Sequence, residues 1–88
     1  MISMKTQLGL VKQFHQKFHA PVGGEPSLIP PDRYQLRHKL MNDEVAEYLQ
    51  GVQNKDMENI AKELADILYA VYGTIFEHGL QYRMEEIF

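Results

Sequence analysis

Four carboxylates occupy positions where an apolar helix face is expected. Glu44 and Glu47 are three residues apart, as are Glu63 and Asp66. On a helix that spacing turns both members of a pair to one side, where they can share an ion across one turn. On a helical wheel Glu44 and Glu47 fall within the apolar stripe that contains Leu36, Leu40 and Tyr48. Asp66 is the single charge between Leu64 and Phe76, a run apolar enough to be enclosed on most sides, so Asp66 is expected to have little access to water. Glu63 borders the same face. An unpartnered buried carboxylate is costly, and four together repel and raise one another's pKa unless a cation neutralises them. A hard divalent cation answers both problems. All-oxygen ligation without His or Cys favours magnesium, with manganese as the alternative, over zinc or copper. Acidic pairs of this spacing are common on solvated helix faces, where they only keep a surface soluble. Two pairs on neighbouring helices, both within or beside apolar faces, point instead to a metal site.

The elements that must position these groups are helical. Met4, Leu8, Val11, Phe14 and Phe18 recur at three-and-four spacing and predict a first helix over residues 3–19. A loop follows, with Pro21, Gly23, Gly24, Pro26, Pro30 and Pro31, because prolines remove backbone donors and hold their predecessors extended. A second helix is predicted from about Asp32 to Gly51, with Leu36, Leu40, Met41, Val45, Tyr48 and Leu49 apolar. Gln53 to Asp56 reads as a turn, with Asp56 as N-cap of a third helix that runs to about His78. Gly79 supplies the left-handed residue that ends it, and Gln81 begins a fourth helix, apparently cut short at Phe88. Antiparallel packing through the short turn at residues 52–55 would bring the two acidic pairs together. The expected fold is all-α, a small antiparallel bundle of about four helices forming one domain over residues 1–88.

Composition narrows the partners. A chain of 88 residues buries only about 60% of the surface it exposes when unfolded. Without cysteine, neither disulfides nor thiolate zinc can make up the deficit, so self-association is expected to complete the bundle. A net charge of −3 offers no basic surface for a nucleic-acid polymer. Neither a signal-peptide core nor a membrane-spanning apolar run is present, so the chain reads as cytoplasmic.

Asp43-Glu44-Val45-Ala46-Glu47, followed by Glu63-Leu64-Ala65-Asp66, resembles the acidic signature E-E-x-x-E, spacer, E-x-x-D of the all-alpha nucleotide pyrophosphohydrolases, the MazG-type and phosphoribosyl-ATP pyrophosphohydrolase-like group. Leu28-Ile29-Pro30-Pro31 and the run from Ile67 to Gly73 share the resemblance. It implies magnesium-dependent hydrolysis of a nucleoside triphosphate, or a similar nucleotide, between the α and β phosphates, giving monophosphate and pyrophosphate. It implies magnesium binding by Glu44, Glu47, Glu63 and Asp66, with Glu44 or Glu47 orienting or deprotonating the attacking water. Relatives are dimers or tetramers with sites near subunit interfaces, so a homodimer or homotetramer is expected.

Two positions depart from the pattern. Asp43 replaces the first glutamate and is one methylene shorter. Relatives also usually continue past the fourth helix into a segment with an Asn and a Lys that help bind phosphates, whereas the sequence here stops at Phe88. Arg37, seven residues before Glu44, is on the same helix face and is the candidate substitute, because a guanidinium grips phosphate bidentately. A salt bridge to Glu44 is its other reading. Lys39 and Lys62 point elsewhere on their helices, and Lys62 with Asp66 or Glu58 reads as an i, i+4 pair.

Other motifs carry less. His15 and His19 have helical metal spacing but lack the H-E-x-x-H pattern, and fit an oligomer interface better. Tyr69 and Tyr72 read as core rather than base-stacking residues. Gly23-Gly24 lacks the Lys-Ser/Thr of a phosphate loop, and Ser3 and Ser27 lack nucleophile context. Three activities remain open: the broad nucleotide pyrophosphohydrolase, phosphoribosyl-ATP cleavage in histidine biosynthesis, and a metal- or nucleotide-binding module without turnover. The dedicated phosphoribosyl-ATP enzymes usually carry G-E-E-A where this chain has Asn42-Asp43-Glu44-Val45, which favours the broad group.

Overall fold

The computed structural model describes residues 23–87 together with Thr6, Gly9, Leu10, Lys12 and Gln13. Within residues 23–87 three helices are defined: α1 (Pro31–Gln53), α2 (Met57–Glu77) and a single turn, α3 (Met84–Ile87). No strand occurs among the described residues, so the chain is all-α. The five described residues before position 20 are helical. The rest of the predicted first helix, His15 and His19 included, lies outside the described residues.

Local chemistry accounts for the helix ends. Pro31 occupies the first turn of α1 after an extended Pro30 (φ −60°, ψ 157°), where a missing N–H removes no helical hydrogen bond. Asp56 caps α2 as the sequence predicts, its Oδ1 accepting from the Asn59 amide at 3.2 Å. Gly79 ends α2 with φ +70°. Leu80 N donates to Ile75 O at 2.9 Å and Gly79 N to Phe76 O at 3.0 Å, the paired bonds of a Schellman motif. The end of α1 is built the same way, with Asp56 N donating to Gly51 O at 3.1 Å and Lys55 N to Val52 O at 3.0 Å. Here the left-handed position holds Lys55, at φ 55°, without a glycine to mark it in the sequence.

The chain divides into two compact units, Pro30–Val71 and a second made of Met1–Ile29 with Tyr72–Phe88. In the second unit the glycine-rich loop is strapped to the end of α2. Gly23 N donates to Phe76 O at 2.7 Å, Ser27 N to His78 O at 2.9 Å, and Gln81 Nε2 to Gly23 O at 2.9 Å. His78 Nδ1 lies 2.9 Å from Ser27 O; a carbonyl only accepts, so this nitrogen carries the proton. The loop is therefore ordered from Gly23 onward. Tyr72, Ile75 and the fully enclosed Phe76 are buried here.

The first unit is a helical hairpin. The least exposed residues of α1 are Arg33, Arg37, Met41, Glu44, Tyr48 and Gly51, at the three-and-four spacing of one stripe. A Cβ on Gly51 would stand 3.3 Å from Ile60 Cγ1, so glycine allows close approach near the turn. Glu44 meets Glu63 and Asp66 farther along, and the charge of Arg37 is felt at Tyr69 farther still. Pairing 51 with 60, 44 with 63 and 37 with 69 runs the helices antiparallel, as expected.

The seam is not the apolar stripe drawn from the sequence. Leu36, Leu40, Val45, Leu49 and Val52 are exposed on α1, while a buried Arg37 and a half-buried Glu44 face α2. Two helices bury one stripe each, and in α1 the more polar stripe took that place. Leu36 and Leu40 flank that stripe on one side and Val45, Leu49 and Val52 on the other, and both apolar rows are exposed.

Candidate metal centre

α1 delivers Glu44 and α2 delivers Glu63 and Asp66, one turn apart, to the same level of the hairpin. One carboxylate oxygen from each of the three lies within 4.8 Å of the other two. Oxygens around a magnesium ion at about 2.1 Å stand roughly 3 to 4 Å apart, so small side-chain rotations close the group on one cation.

Burial is unequal among them. Glu63 is the enclosed member, 4% exposed, although the sequence placed it only at the border of the apolar face. Its Oε2, and Oε2 of Glu44, are buried without a hydrogen-bond partner. Orphaned anionic oxygens of this kind are the feature a cation would satisfy. Asp66, expected to be enclosed, instead has a side chain 41% exposed. The reason is local: Leu64 and Leu68 beside it are exposed too, so this half of α2 is covered on one side only. Glu47 is also exposed and stands outside the close group of three, which corrects its expected position within a buried stripe. It still bears on the cluster, since the neighbouring Glu63 carboxyl is the first cause of its raised pKa.

The protonation pattern follows from this crowding. Glu44 is pushed up to about 7, first by burial, then by a hydrogen bond to Glu63 and by the charges of Glu47, Asp66 and Glu63. Glu47 is raised by its hydrogen bond to Glu63. Glu63 is lowered, because Glu47, Lys62 and Glu44 all donate to it. Without a cation, crowding therefore favours the protonated form of Glu44 and Glu47 and the ionised form of Glu63.

Of the two lysines on these helices, Lys39 points away from the cluster as expected, whereas Lys62 sits nearer it than the wheel indicates. Lys39 Nζ is 2.6 Å from Asp43 Oδ2 on the exposed surface, so the aspartate at the family's first glutamate position is engaged in a surface pair. Lys62 Nζ lies 3.1 Å from Asp66 Oδ2, the anticipated i, i+4 pair, and 3.2 Å from Glu63 Oε1. These bonds hold Lys62 well above the usual lysine range, Asp66 contributing most. Its flexible stem folds the ammonium onto the cluster, where the wheel, which records only the Cα direction, had it pointing elsewhere. Arg37 is buried on the stripe that carries Glu44. Tyr69 is part-exposed, contrary to a core role, and its phenol is raised by burial and opposed by the Arg37 charge; Tyr72 is core, as read.

No curated protein matches the chain. Residues 11–88 match the family model for phosphoribosyl-ATP pyrophosphohydrolase. That span includes every carboxylate of the cluster and both helices that carry them. The chain therefore belongs to the phosphoribosyl-ATP pyrophosphohydrolase family, within the MazG-like all-alpha nucleoside triphosphate pyrophosphohydrolase superfamily.

Proposed function

We propose that this chain is a magnesium-dependent nucleotide pyrophosphohydrolase that cleaves a nucleoside triphosphate, or a similar nucleotide, between the α and β phosphates to monophosphate and pyrophosphate. The observation that carries the reading is the buried, unpartnered Oε2 of Glu63, set beside the equally unpartnered Oε2 of Glu44 and within reach of Asp66. Glu44, Glu63 and Asp66 hold the cation, with manganese as a substitute, and Glu47 borders it from the exposed side. When bound, magnesium neutralises phosphate oxygens and lowers the pKa of the attacking water. Glu47 is the carboxylate that takes the water's proton, because it is exposed and outside the close group, whereas Glu44 faces inward as a ligand. Arg37 is a standing positive charge on the same stripe; its burial favours that role over reaching for phosphate.

A second copy covers exposed apolar residues of α1, which lie in two rows flanking the seam, Leu36 with Leu40 and Val45 with Leu49 and Val52, giving a homodimer or homotetramer. Two such rows on one helix are unusual to leave in water. The partners are then the nucleotide and the chain itself, with no nucleic-acid polymer. Among the described residues no helix is long and apolar enough to cross a membrane.

Phosphoribosyl-ATP is the second candidate substrate, supported by the description of the matching family. The residues before Glu44, Asn42 and Asp43, favour the broader group. Pyrophosphate release is measured with magnesium on a panel of nucleoside triphosphates and phosphoribosyl-ATP, for wild type, Glu63→Gln and Asp66→Ala. Loss of a direct ligand is expected to lower turnover by at least about 100-fold. Nucleotide binding without turnover by the wild type would leave a binding module, and unchanged magnesium affinity in both variants would refute the site.

A further inference from the structure

The cluster already holds one cation, and that cation belongs to the chain. Lys62 Nζ is bonded to Asp66 Oδ2 at 3.1 Å and to Glu63 Oε1 at 3.2 Å. We infer that Lys62 is a phosphate-binding residue of this site, parked on Glu63 and Asp66 and released toward the nucleotide when a divalent cation takes their oxygens. The inference rests on the metal-site reading above and extends it to a named contact with the substrate.

The geometry separates Lys62 from the other nearby cations. Arg37 is buried in the hairpin stripe, and Lys39 is paired on the outer surface with Asp43, which is not one of the three close carboxylates. Lys62 combines contact with the cluster and access to water: its side chain is 65% exposed, whereas that of Glu63, which it touches, is 5% exposed. It therefore stands at the mouth of the site, where an incoming phosphate would arrive. Glu63 gives Oε1 to Lys62 while its Oε2 is unpartnered within, so the acid bridges the tethered ammonium and the place for the metal.

Exchange between the two cations is physically favourable. The Lys62–Asp66 pair joins two partly exposed side chains and is weak, and the nearly enclosed Glu63 is not left unpaired, because the incoming ion replaces the ammonium. A divalent ion carries twice the charge and bonds the same carboxylates directly. Once displaced, the ammonium is confined to the rim, because its stem starts one residue before Glu63. Three rotatable donors on a point charge suit a tetrahedral phosphate. No covalent bond forms or breaks.

The test uses the full chain with Lys62→Met, which keeps stem length and removes charge, and Lys62→Arg, which keeps charge. Magnesium alone is titrated by calorimetry, and then a non-hydrolysable α,β-imido nucleoside triphosphate with saturating magnesium. Lys62→Met is expected to bind magnesium alone at least as tightly as wild type, because a competitor is gone. It is expected to bind the analogue about tenfold more weakly, the loss of one charge-assisted hydrogen bond, with KM raised more than kcat is lowered. Lys62→Arg should recover most of the affinity. Unchanged analogue affinity in Lys62→Met overturns the inference, as does weakened binding of magnesium alone, which would make Lys62 only a brace for the acids. A wild type that binds no magnesium overturns the metal-site reading itself. Normal wild-type binding with an unaffected Lys62→Met removes this inference alone.

Discussion

The two ends of α2 lie in different compact units and are treated differently by the chain. Toward its C-terminus, Tyr72, Ile75 and Phe76 are buried and the turn that follows is pinned by backbone bonds from Gly23 and Ser27. Toward its N-terminus, Leu64 and Leu68 stay exposed, and the most enclosed side chain is a carboxylate, Glu63. One end is a mainly apolar core that also encloses Glu77, and its stability comes from burial. The other spends its enclosed positions on anions that repel. The contrast is what a functional surface looks like beside its scaffold: the hairpin places charge where stability alone would place leucine, and leaves its leucines for another surface.

The largest way to break the contrast is at the scaffold. A Cβ on Gly79 would stand 2.0 Å from Glu25 O, on a backbone with φ +70°. Clash and left-handed strain add, so Gly79→Ala is expected to destabilise the chain by about 3 kcal/mol or more. Thermal unfolding checks this, and a loss below about 1 kcal/mol would mean that the strap is not holding the end of α2.

The second way is to charge the two exposed apolar rows of the hairpin, one residue in each. For a monomer, Leu40→Glu and Leu49→Glu alter exposed positions, and each is expected to shift stability by no more than about 0.5 kcal/mol. If a second copy covers either row, the double variant dissociates to monomer and loses turnover with it. Light scattering on the two proteins decides, and a monomeric, fully active wild type would remove the self-association reading.

A third test sharpens the contrast through pH. Folded Glu44 titrates at about 7 against 4.5 for the free side chain, and Glu47 is raised as well. Between those values the folded state binds more protons than the unfolded chain, so metal-free stability should fall as pH rises from about 4.5 through 7. Glu63 shifts the other way, and its effect belongs below 4.5. Excess magnesium should flatten the decline, because the cation stabilises the ionised cluster. Glu63→Gln removes the central acceptor and should weaken both the decline and its rescue. A metal-free stability that rises over this window would contradict the crowded-carboxylate picture.

The smallest expected effect concerns the hairpin turn. Lys55 sits at φ 55°, where an L residue with a Cβ is strained by about 1 kcal/mol. Lys55→Gly should therefore stabilise the hairpin by about that amount, read from denaturant midpoints, with turnover unchanged because the turn lies apart from the carboxylates.

Much of this was legible in the residues. The Asp56 cap, the Gly79 stop and the approximate limits of α1 and α2 depend on backbone chemistry confined to a few neighbours, and local sequence specifies them. The acidic spacing was equally legible, since i, i+3 on a helix fixes which carboxylates share a side. The turn at residues 53–56 and the pair of Lys62 with Asp66 were legible too. The left-handed backbone of Lys55 was not, because a glycine usually marks that conformation and here none does. Nor was the contact of Lys62 with Glu63, which depends on a flexible side chain rather than on the direction of its Cα.

What the sequence determined by itself was periodic and local: an all-α chain, two amphipathic helices and two acidic pairs in register with them. Only the tertiary structure decided which stripe of α1 turned inward, because the stripe of Arg37, Glu44 and Tyr48 has apolar rows on both flanks and packing against α2 selects among them. That selection buried Glu63 more than Asp66, left Glu47 outside the close group, and made the enclosed face of the hairpin the charged one.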